Sequence, residues 1–297
     1  MTRQRAFIVG CGYLGLRLAR ALKSYYQVLA LVSSQSSLKT LRGSGIGGVA
    51  VDLDKARPGD LSPVWLKQSI VFYLVPPPGA GESDTRLDRF FQLVSARPDT
   101  FVYMSTTGVY GDTGGEMVDE ATPVNPTTER AHRRLSAEHM TRVWCTENQV
   151  RRVVLRVPGI YGPHRLPLER LRRGEPVILA NESGITNHIH VDDLVQVCVA
   201  AANDPDVRGI FNVSDGGTHT ATEYYELVAK LAGLAPPPQI PLDEARLSFS
   251  PERMSFLDES RRVSNRRLLQ ELKVTLRYAD LAEGIRASLE EEAASRK

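Results

Sequence analysis

Gly10-Cys11-Gly12-Tyr13-Leu14-Gly15 is the stretch that decides the fold, because it follows an apolar run, Ala6 to Val9, and opens an amphipathic helical pattern. Gly10 permits a tight turn, Gly12 lets a pyrophosphate approach the backbone, and Gly15 lets a helix pack closely on a strand. The positive end of the helix dipole and its free N–H groups then face the phosphates. The motif predicts a dinucleotide-binding site that also includes Tyr13 and Leu14.

Apolar runs with helical stretches between them continue along the first half of the chain. They are Val28 to Val32, Val49 to Val51, Ile70 to Val75, Phe101 to Met104 and Val153 to Val157. Near-continuous apolar strands separated by helices are typical of a parallel sheet that is covered on both faces. We therefore expect an α/β protein with a Rossmann-type, doubly wound parallel sheet.

The character of the chain changes after Gly162, where Pro- and Gly-punctuated segments begin. We expect an NAD(P)-binding domain over residues 1–162 and a small C-terminal substrate lobe over 163–297, with the chain crossing back to the first domain near 186–213. An apolar helix is predicted near Leu194 to Ala202, a second near Glu223 to Leu231 and a charged one from Tyr278 to Lys297.

The composition narrows the choice of partner. Thirty-seven Lys and Arg face 35 Asp and Glu, a formal net charge of +2 in 297 residues, whereas proteins that bind nucleic acid or membrane surfaces usually concentrate positive charge. We expect a small-molecule substrate, no nucleic acid and no membrane partner, and a homodimer is compatible with the sequence. Three scattered cysteines, Cys11, Cys145 and Cys198, predict buried free thiols, and we expect a cytoplasmic protein.

The end of the second apolar run bears on the choice of dinucleotide. Ser33-Ser34-Gln35-Ser36-Ser37 stands where NAD enzymes place a carboxylate, with Lys39 and Arg42 beyond. Hydroxyls and cations accept a 2′-phosphate that a carboxylate would repel, so NADP is favoured and NAD is the second choice. Alternatively, the serines cap a helix that begins near Leu38. The glycine-rich segment 43–48 precedes a strand, and we interpret it as a loop.

Four further motifs make the chain resemble the extended short-chain dehydrogenase/reductase superfamily, which contains nucleotide-sugar epimerases and dehydratases. They are Asp52-Leu53, STTGVYG at 105–111, LRVPGIYGP at 155–163 and HIHVDDL at 188–194. The resemblance implies a Rossmann fold with cofactor contacts at Asp52 and Leu53, and we add Leu74, Val75 and Pro158 as contacts.

The residues that carry the chemistry depart from this resemblance. Counting back from Glu138, which matches a family glutamate, the family's Tyr-x-x-x-Lys falls on Arg130 and Arg134. Arg134 would still bind ribose hydroxyls, but Arg130 cannot exchange a proton at neutral pH. Thr186 and Gly159 replace an arginine and an asparagine suited to a diphosphate. In these departures the chain is similar to an atypical subgroup of the NAD-dependent epimerase/dehydratase family.

Thr106 is the strongest catalytic candidate, because it ends a strand at the carboxyl edge of the sheet, where ligands bind in open α/β folds. Its hydroxyl would stabilise charge on a substrate oxygen; the alternative is a turn hydroxyl. We also include Arg130 and Arg134, and His132 as a proton carrier. Residues 130 and 132 do not share a helix face, so an exposed helix histidine is the alternative for His132.

Substrate contacts are expected at the motif residues that follow the strands. They are Thr107, Tyr161, Arg165, Asn187 and His188. A solvated side chain is an equal alternative for Arg165. No metal site is predicted, because no third ligand follows the histidine pair at 188 and 190 at a suitable spacing. Asp192 and Asp193 are interpreted as helix caps.

Two functional hypotheses remain from the sequence. The first is an NADP-dependent oxidoreductase or epimerase/dehydratase-like enzyme that acts on a small hydroxyl or carbonyl compound, related to sugars, without the usual Tyr-x-x-x-Lys. The second is a catalytically inactive NAD(P)-binding sensor or regulatory protein, which the arginine at position 130 favours. A scaffold without any ligand is a third, weaker alternative.

Overall fold

The computed structural model describes residues 4–295. The strands are β1 (Arg5–Val9), β2 (Gln27–Val32), β3 (Gly47–Ala50), β4 (Ser69–Tyr73), β5 (Thr100–Thr106), β6 (Met117–Val118), β7 (Arg151–Val157), β8 (Gly159–Tyr161), β9 (Val177–Ile178), β10 (His188–His190), β11 (Gly209–Asn212), β12 (Gln239–Ile240) and β13 (Arg262–Val263). The helices are α1 (Tyr13–Leu22), α2 (Gln35–Gly43), α3 (Pro63–Leu66), α4 (Thr85–Leu93), α5 (Glu129–Glu147), α6 (Leu168–Arg172), α7 (Val191–Asn203), α8 (Ala221–Leu231), α9 (Leu242–Ser248), α10 (Pro251–Leu257), α11 (Arg266–Gln270) and α12 (Leu281–Ala294).

A seven-stranded sheet forms the centre of the molecule, in the order β3-β2-β1-β4-β5-β7-β11. Every neighbouring pair is parallel. The order reverses direction between β1 and β4, and this is the point at which open α/β sheets bind ligands, beyond the carboxyl ends of the strands. The predicted doubly wound parallel sheet is confirmed.

Two apolar layers cover this sheet because its central strands alternate buried residues toward both faces. One layer packs residues such as Ile8 and Phe72 against α1 and α7, including Leu18 and Leu194. The other packs Phe7, Tyr73 and Phe101 against α4 and α5. The three free cysteines are buried, as predicted.

The chain returns to the sheet after leaving it at Gly162. Helix α7 packs on α1, and β11 pairs with β7 at the edge of the sheet. The remaining C-terminal segments form a separate apolar cluster in which Leu168, Val228 and Ile285 bring α6, α8 and α12 together. This lobe lies against the loops that follow β5 and β7.

Two local predictions differ from the structure. The glycine segment interpreted as a loop contributes Gly47 and Gly48 to β3, and a Cβ at Gly48 would lie 2.5 Å from the Ala30 carbonyl oxygen of β2, so only glycine fits there. The sequence spacing of Leu135, His139 and Val143 predicts that these residues share one helix face. In α5, however, Leu135 is half-buried and Val143 is exposed, and the buried face carries Ala137, Glu138 and Thr141 instead. Spacing predicted the helix but not which side it buries.

Candidate active site

The glycine loop between β1 and α1 forms the floor of a cleft. Gly10 has φ +88°, and a Cβ there would lie 2.9 Å from the backbone nitrogen of Val75. Gly15 packs so closely that a Cβ would lie 3.3 Å from the Gly10 carbonyl oxygen. Gly12, by contrast, has open space: apart from the adjoining backbone, no atom of residues 4–295 lies within 4 Å of its ideal Cβ position. The first and third glycines are therefore required by the fold, and the second leaves room for a ligand.

The start of α1 also lacks an internal cap. Among the described residues, no side chain accepts a hydrogen bond from its first turn, and the N-cap residue is Gly12 itself. The first N–H groups of a helix have no intrahelical partner, so they attract an anion. An uncapped helix that begins beside an open glycine fits the diphosphate of a dinucleotide.

The cleft above the glycine loop has a volume of about 470 Å³ and extends across the ends of β1, β2 and β3. Six of the predicted cofactor residues line it: Gly10, Gly12, Ser33, Asp52, Leu53 and Val75. The others lie outside this lining: Tyr13, Leu14, Gly15, Ser34, Leu74, Arg134 and Pro158. The lining also includes Arg86, which sequence reasoning missed, and which donates hydrogen bonds of 2.9 and 2.7 Å to the Asp54 carboxylate.

Ser34, which the sequence predicted as a cofactor contact, is not part of the cleft lining. Its Oγ accepts a hydrogen bond of 3.2 Å from the Ser37 N–H, which makes it the N-cap of α2, the alternative that the sequence left open. Ser33 and Ser37 line the cleft and are exposed. In the cleft lining at the end of β2 there is no carboxylate, although Asp52 and Asp54 line its far wall.

The residues at the end of β5 lie at the same sheet edge. Thr106 is partly buried, and its Oγ1 accepts a 3.2 Å hydrogen bond from the Gly108 N–H in the 3₁₀ turn Thr107–Tyr110. This bond uses an oxygen lone pair, so the hydroxyl proton is available for a substrate oxygen. Thr107 is buried within the turn, which makes it a poor substrate contact.

Arg134 is held against the end of β5. Its Nη1 donates to the Met104 carbonyl oxygen at 2.8 Å and to the Tyr103 hydroxyl at 3.3 Å. Burial raises the pKa of Tyr103 to about 12, so this phenol is neutral at physiological pH and orients the arginine without exchanging protons with it. Nε and Nη2 of Arg134 take no part in these two bonds, and the side chain is half-buried.

Arg130 reaches away from the sheet toward the C-terminal lobe. Its Nη1 donates to the Ser255 Oγ at 2.7 Å, its Nη2 donates to the Ser255 carbonyl oxygen at 3.0 Å, and the guanidinium stacks on Phe256. Burial lowers the pKa of Arg130 below its usual value. The side chain at the family's tyrosine position therefore bridges α5 and α10.

His132 is exposed on the other side of α5. It lines a surface depression together with Glu82, Glu129 and His139, and the half-turn between residues 130 and 132 turns it away from Arg130. The prediction that His132 carries a proton is therefore corrected in favour of the exposed alternative.

Two predicted substrate contacts, Asn187 and Tyr161, are buried inside the protein. The Asn187 side chain donates to the Arg261 carbonyl oxygen at 2.9 Å and accepts from the Val263 N–H at 3.0 Å, so both ends of its amide hold β13. Tyr161 is 1% exposed, and a Cβ at Gly284 would overlap its hydroxyl. Both side chains therefore point into the protein interior. The family motif gives their positions in the sequence but not the direction in which they point.

His188 is also buried rather than facing a ligand. Its ring stacks on Tyr224 at 4.3 Å, and burial lowers its pKa to about 3. Its neighbour His190 caps α7 by accepting the Asp192 N–H at 3.2 Å, a role predicted for the aspartates. Nearby Asp215 is 7% exposed, and burial raises its pKa to about 7.

Arg165 is exposed, and its guanidinium lies 4.9 Å from the centre of the Tyr13 ring. The Tyr13 hydroxyl donates to the Pro163 carbonyl oxygen at 2.9 Å. Together these contacts tie the loop after β8 to the first turn of α1. Arg165 therefore lies on the cofactor side of the cleft, beside Tyr13.

A buried polar network supports the end of β5, and sequence reasoning identified only one of its members. Glu138 of α5 accepts two hydrogen bonds from Arg156 of β7, at 3.0 and 2.8 Å, and one from the Ser105 hydroxyl at 2.5 Å. Tyr110 belongs to the same region and donates to Asn212 at 2.8 Å. The LR pair of the LRVPGIYGP motif was the available signal for Arg156.

The C-terminal lobe holds a second cavity of about 300 Å³. Arg170, Tyr225, Arg253 and Phe256 contribute to its walls. Phe256 also stacks on Arg130, with the guanidinium carbon 3.4 Å from the ring centre. One aromatic ring thus lies between this cavity and the first turn of α5.

Comparison with known proteins identifies the family. The model of the NAD dependent epimerase/dehydratase family matches residues 6–214. The chain belongs to this family. Its members are NAD-dependent by description, and the match runs from β1 through the return of the chain to the sheet.

Individual relatives are more distant. Human dTDP-D-glucose 4,6-dehydratase is 25% identical over 147 residues, which are 47% of this chain and 41% of that protein. The match therefore spans less than half of the length of this curated relative. No helix within residues 4–295 is both long and apolar enough to cross a membrane.

Solved structures cover the whole chain. A functionally unknown conserved protein from Silicibacter pomeroyi has a TM-score of 0.83 and 29% identity, over 97% of this chain and 99% of that one. UDP-glucuronic acid 4-epimerase from Bacillus cereus, in complex with UDP-glucuronic acid and NAD, has a TM-score of 0.77 and 18% identity, over 98% and 100%. The second likeness concerns the fold alone.

Proposed function

We propose that this protein is an NADP-dependent oxidoreductase or epimerase/dehydratase-like enzyme that acts on a small, sugar-related hydroxyl or carbonyl substrate. The observation that carries the proposal is that Thr106 ends β5 and Arg134 bonds the Met104 carbonyl oxygen of the same strand, in a sheet whose glycine loop leaves Gly12 open. Residues 1–162, with the returning segment 186–213, would hold the dinucleotide, and the lobe from residue 163 would close over the substrate.

In this proposal, different residues would bind the diphosphate, the ribose and the substrate oxygen. Gly12 and the uncapped start of α1 would hold the diphosphate, and Arg134 would hold ribose hydroxyls through the donors not used by Tyr103 and Met104. When bound, the nicotinamide accepts or supplies a hydride. The Thr106 hydroxyl would donate a hydrogen bond to the substrate oxygen on which charge develops.

The preference for NADP rests on the end of β2. Ser33 and Ser37 line the cleft there, and no carboxylate stands at the strand end to repel a 2′-phosphate. Arg86 adds a cation to the same lining, although Asp54 neutralises it. The serine hydroxyls therefore carry the preference more than Arg86 does.

A turnover assay tests the enzyme proposal. The protein is supplied with NADP⁺ or NADPH and a panel of sugars, uronic acids and small ketones, and the readouts are absorbance at 340 nm and chromatographic separation of epimers. We expect turnover with at least one compound, and about a 100-fold lower kcat in Thr106→Ala with the cofactor Kd unchanged. Thr146→Ala, an exposed threonine of α5, is the matched control. Equal losses in both variants would contradict the role of Thr106.

A sensor without catalysis is the second candidate, and the attachment of Arg130 to Ser255 favours it. In that case NADPH binds, no compound in the panel is converted, and NADPH and NADP⁺ change the hydrogen exchange of α10 to different extents. Turnover together with identical exchange for the two redox forms excludes the sensor.

A further inference from the structure

Arg130 differs from three buried arginines, each of which forms an ion pair with a carboxylate. Arg133 pairs with Glu129 at 3.3 Å, Arg156 with Glu138 at 2.8 Å, and Arg261 with Glu259 at 2.7 Å. Within residues 4–295, the hydrogen bonds recorded for the Arg130 guanidinium go to Ser255 alone. Its direct contacts are therefore neutral oxygens and the face of Phe256, and the carboxylates of Glu259 and Glu252 act on its charge only from beyond hydrogen-bond distance.

The position of Arg130 in its helix adds a second unfavourable contribution. It is the second residue of α5, beside the N-cap Thr128, where the positive end of the helix dipole disfavours a cation. Glu129 in the same turn is already bound to Arg133, and the nearby Glu259 accepts from Thr127 and Arg261. A half-buried cation without a carboxylate, at the positive end of a helix, costs stability and attracts an anion.

The contacts with Ser255 show what shape of anion fits. Two oxygens of this one residue lie on the two terminal nitrogens of the guanidinium, at 2.7 and 3.0 Å. This arrangement is the fork geometry in which arginine binds the two oxygens of a carboxylate. Phe256 stacks on the guanidinium and also lines the 300 Å³ cavity of the lobe, so Arg130 lies one aromatic ring away from that cavity.

The site also lies beside the proposed reaction centre. A Cβ at Gly108 would lie 4.0 Å from the Cβ of Ala131, so the first turn of α5 packs on the turn that follows Thr106. A carboxylate at Arg130 would hold a substrate whose hydroxyl or carbonyl group extends toward Thr106.

We propose that Arg130 anchors a carboxylate group of the substrate, and that Ser255 competes with this carboxylate for the same two nitrogens. The inference rests on the proposed function and narrows its substrate class to hydroxy or keto acids such as sugar acids. At this position an arginine, which cannot transfer a proton at neutral pH, would bind an anion instead.

Matched pairs of compounds test this anchor. Gluconate is compared with sorbitol, and glucuronate with glucose, by calorimetric titration of the full-length protein saturated with NADPH. We expect at least one acid to bind about tenfold or more tightly than its neutral partner. In Arg130→Gln this discrimination disappears, and in Arg130→Lys, which keeps the charge without the fork, it is reduced.

Two further variants separate the anchor from a structural role. Ser255→Ala removes one competing oxygen, so the acid binds about threefold to tenfold more tightly than it binds the wild type. Arg142→Gln, which changes an exposed arginine of the same helix, leaves the affinity unchanged. Weaker binding by Ser255→Ala, or equal losses in the variants at 130 and 142, would overturn the anchor.

The remaining outcomes distinguish the anchor from the proposed function. If NADPH binds but acids bind no better than their neutral partners, the anchor is wrong and the proposed function stands. If inorganic phosphate binds at Arg130 more tightly than every acid, a phosphate site replaces the carboxylate site. If NADPH itself does not bind, the proposed function and the anchor fail together.

Discussion

Two parts of the carboxyl edge of the sheet differ in how much of the sequence resemblance they keep. At the β1–α1 end, Gly10 and Gly15 are required by close packing and Gly12 stays open, as a dinucleotide requires. At the β5–α5 end, Arg130 and Arg134 stand where the sequence resemblance predicts a tyrosine and a lysine, and Arg130 is bound to the C-terminal lobe. The comparison teaches that binding and chemistry are encoded at separate positions, so one can change while the other is retained.

Loss of the ion pair beneath the β5–α5 end is expected to have the largest effect. Glu138→Ala leaves Arg156 buried without its carboxylate and removes the acceptor of Ser105. Breaking one partner of a buried pair costs about 3–5 kcal/mol in the free energy of unfolding. Urea denaturation measures this loss. A loss below about 1 kcal/mol would mean that the network does not support this part of the sheet edge.

Substitution of Asp215 is expected to change the free energy of unfolding in a pH-dependent way, by as much as or less than Glu138→Ala does. Burial raises the folded pKa of Asp215 from its ordinary value of 3.8 to about 7. Between these pH values the folded state holds a proton that the unfolded state releases, so the stability that this group contributes falls as the pH rises from about 4 to 7. Asn keeps the oxygen that accepts the 2.8 Å bond from the Gly217 N–H and carries no charge.

The stability advantage of Asp215→Asn should therefore grow from near zero at pH 4 to at most about 4 kcal/mol above pH 7. Urea denaturation at several pH values measures this difference between the two proteins. His188 and His190 are present in both proteins, so their contribution to the pH dependence of stability cancels in the difference. A pH-independent difference would show that the Asp215 carboxyl is not buried as described.

The glycine loop separates folding from binding. Gly12→Ala places a Cβ in open space, so we expect the free energy of unfolding to change by less than about 1 kcal/mol. The same Cβ enters the cleft and should weaken NADPH binding about 100-fold. Gly10→Ala is the matched control, because its strain at φ +88° and its contact with Val75 should destabilise the fold itself. Calorimetric titration and urea denaturation of both variants provide the test.

The choice of dinucleotide is expected to give the smallest effect. Ser33→Asp restores a carboxylate at the end of β2, which repels a 2′-phosphate and accepts from ribose hydroxyls. The ratio of NADPH to NADH affinities should fall about tenfold relative to the wild type. Ser36→Asp, at an exposed serine that is not part of the cleft lining, is the control. An unchanged ratio in Ser33→Asp would remove the basis for preferring NADP.

The sheet was predictable from the sequence because its strands are buried on both faces and therefore read as continuous apolar runs, such as Ile70 to Val75. The glycine loop was predictable because its requirements are local. The roles of Asn187 and Tyr161 were not, because a motif gives the position of a side chain but not the direction in which it points. The partner of Arg130 lies 125 residues further along the chain, and no local pattern connects the two.

A crystal structure of the NADPH complex tests the central claim most directly. We predict the diphosphate beside residues 10–15, with Gly12 facing it, and the nicotinamide ring within about 4 Å of the Thr106 hydroxyl. Arg134 should bond the adjacent ribose while it keeps its contact with the Met104 carbonyl oxygen. A diphosphate bound elsewhere, or a nicotinamide remote from β5, would contradict the account.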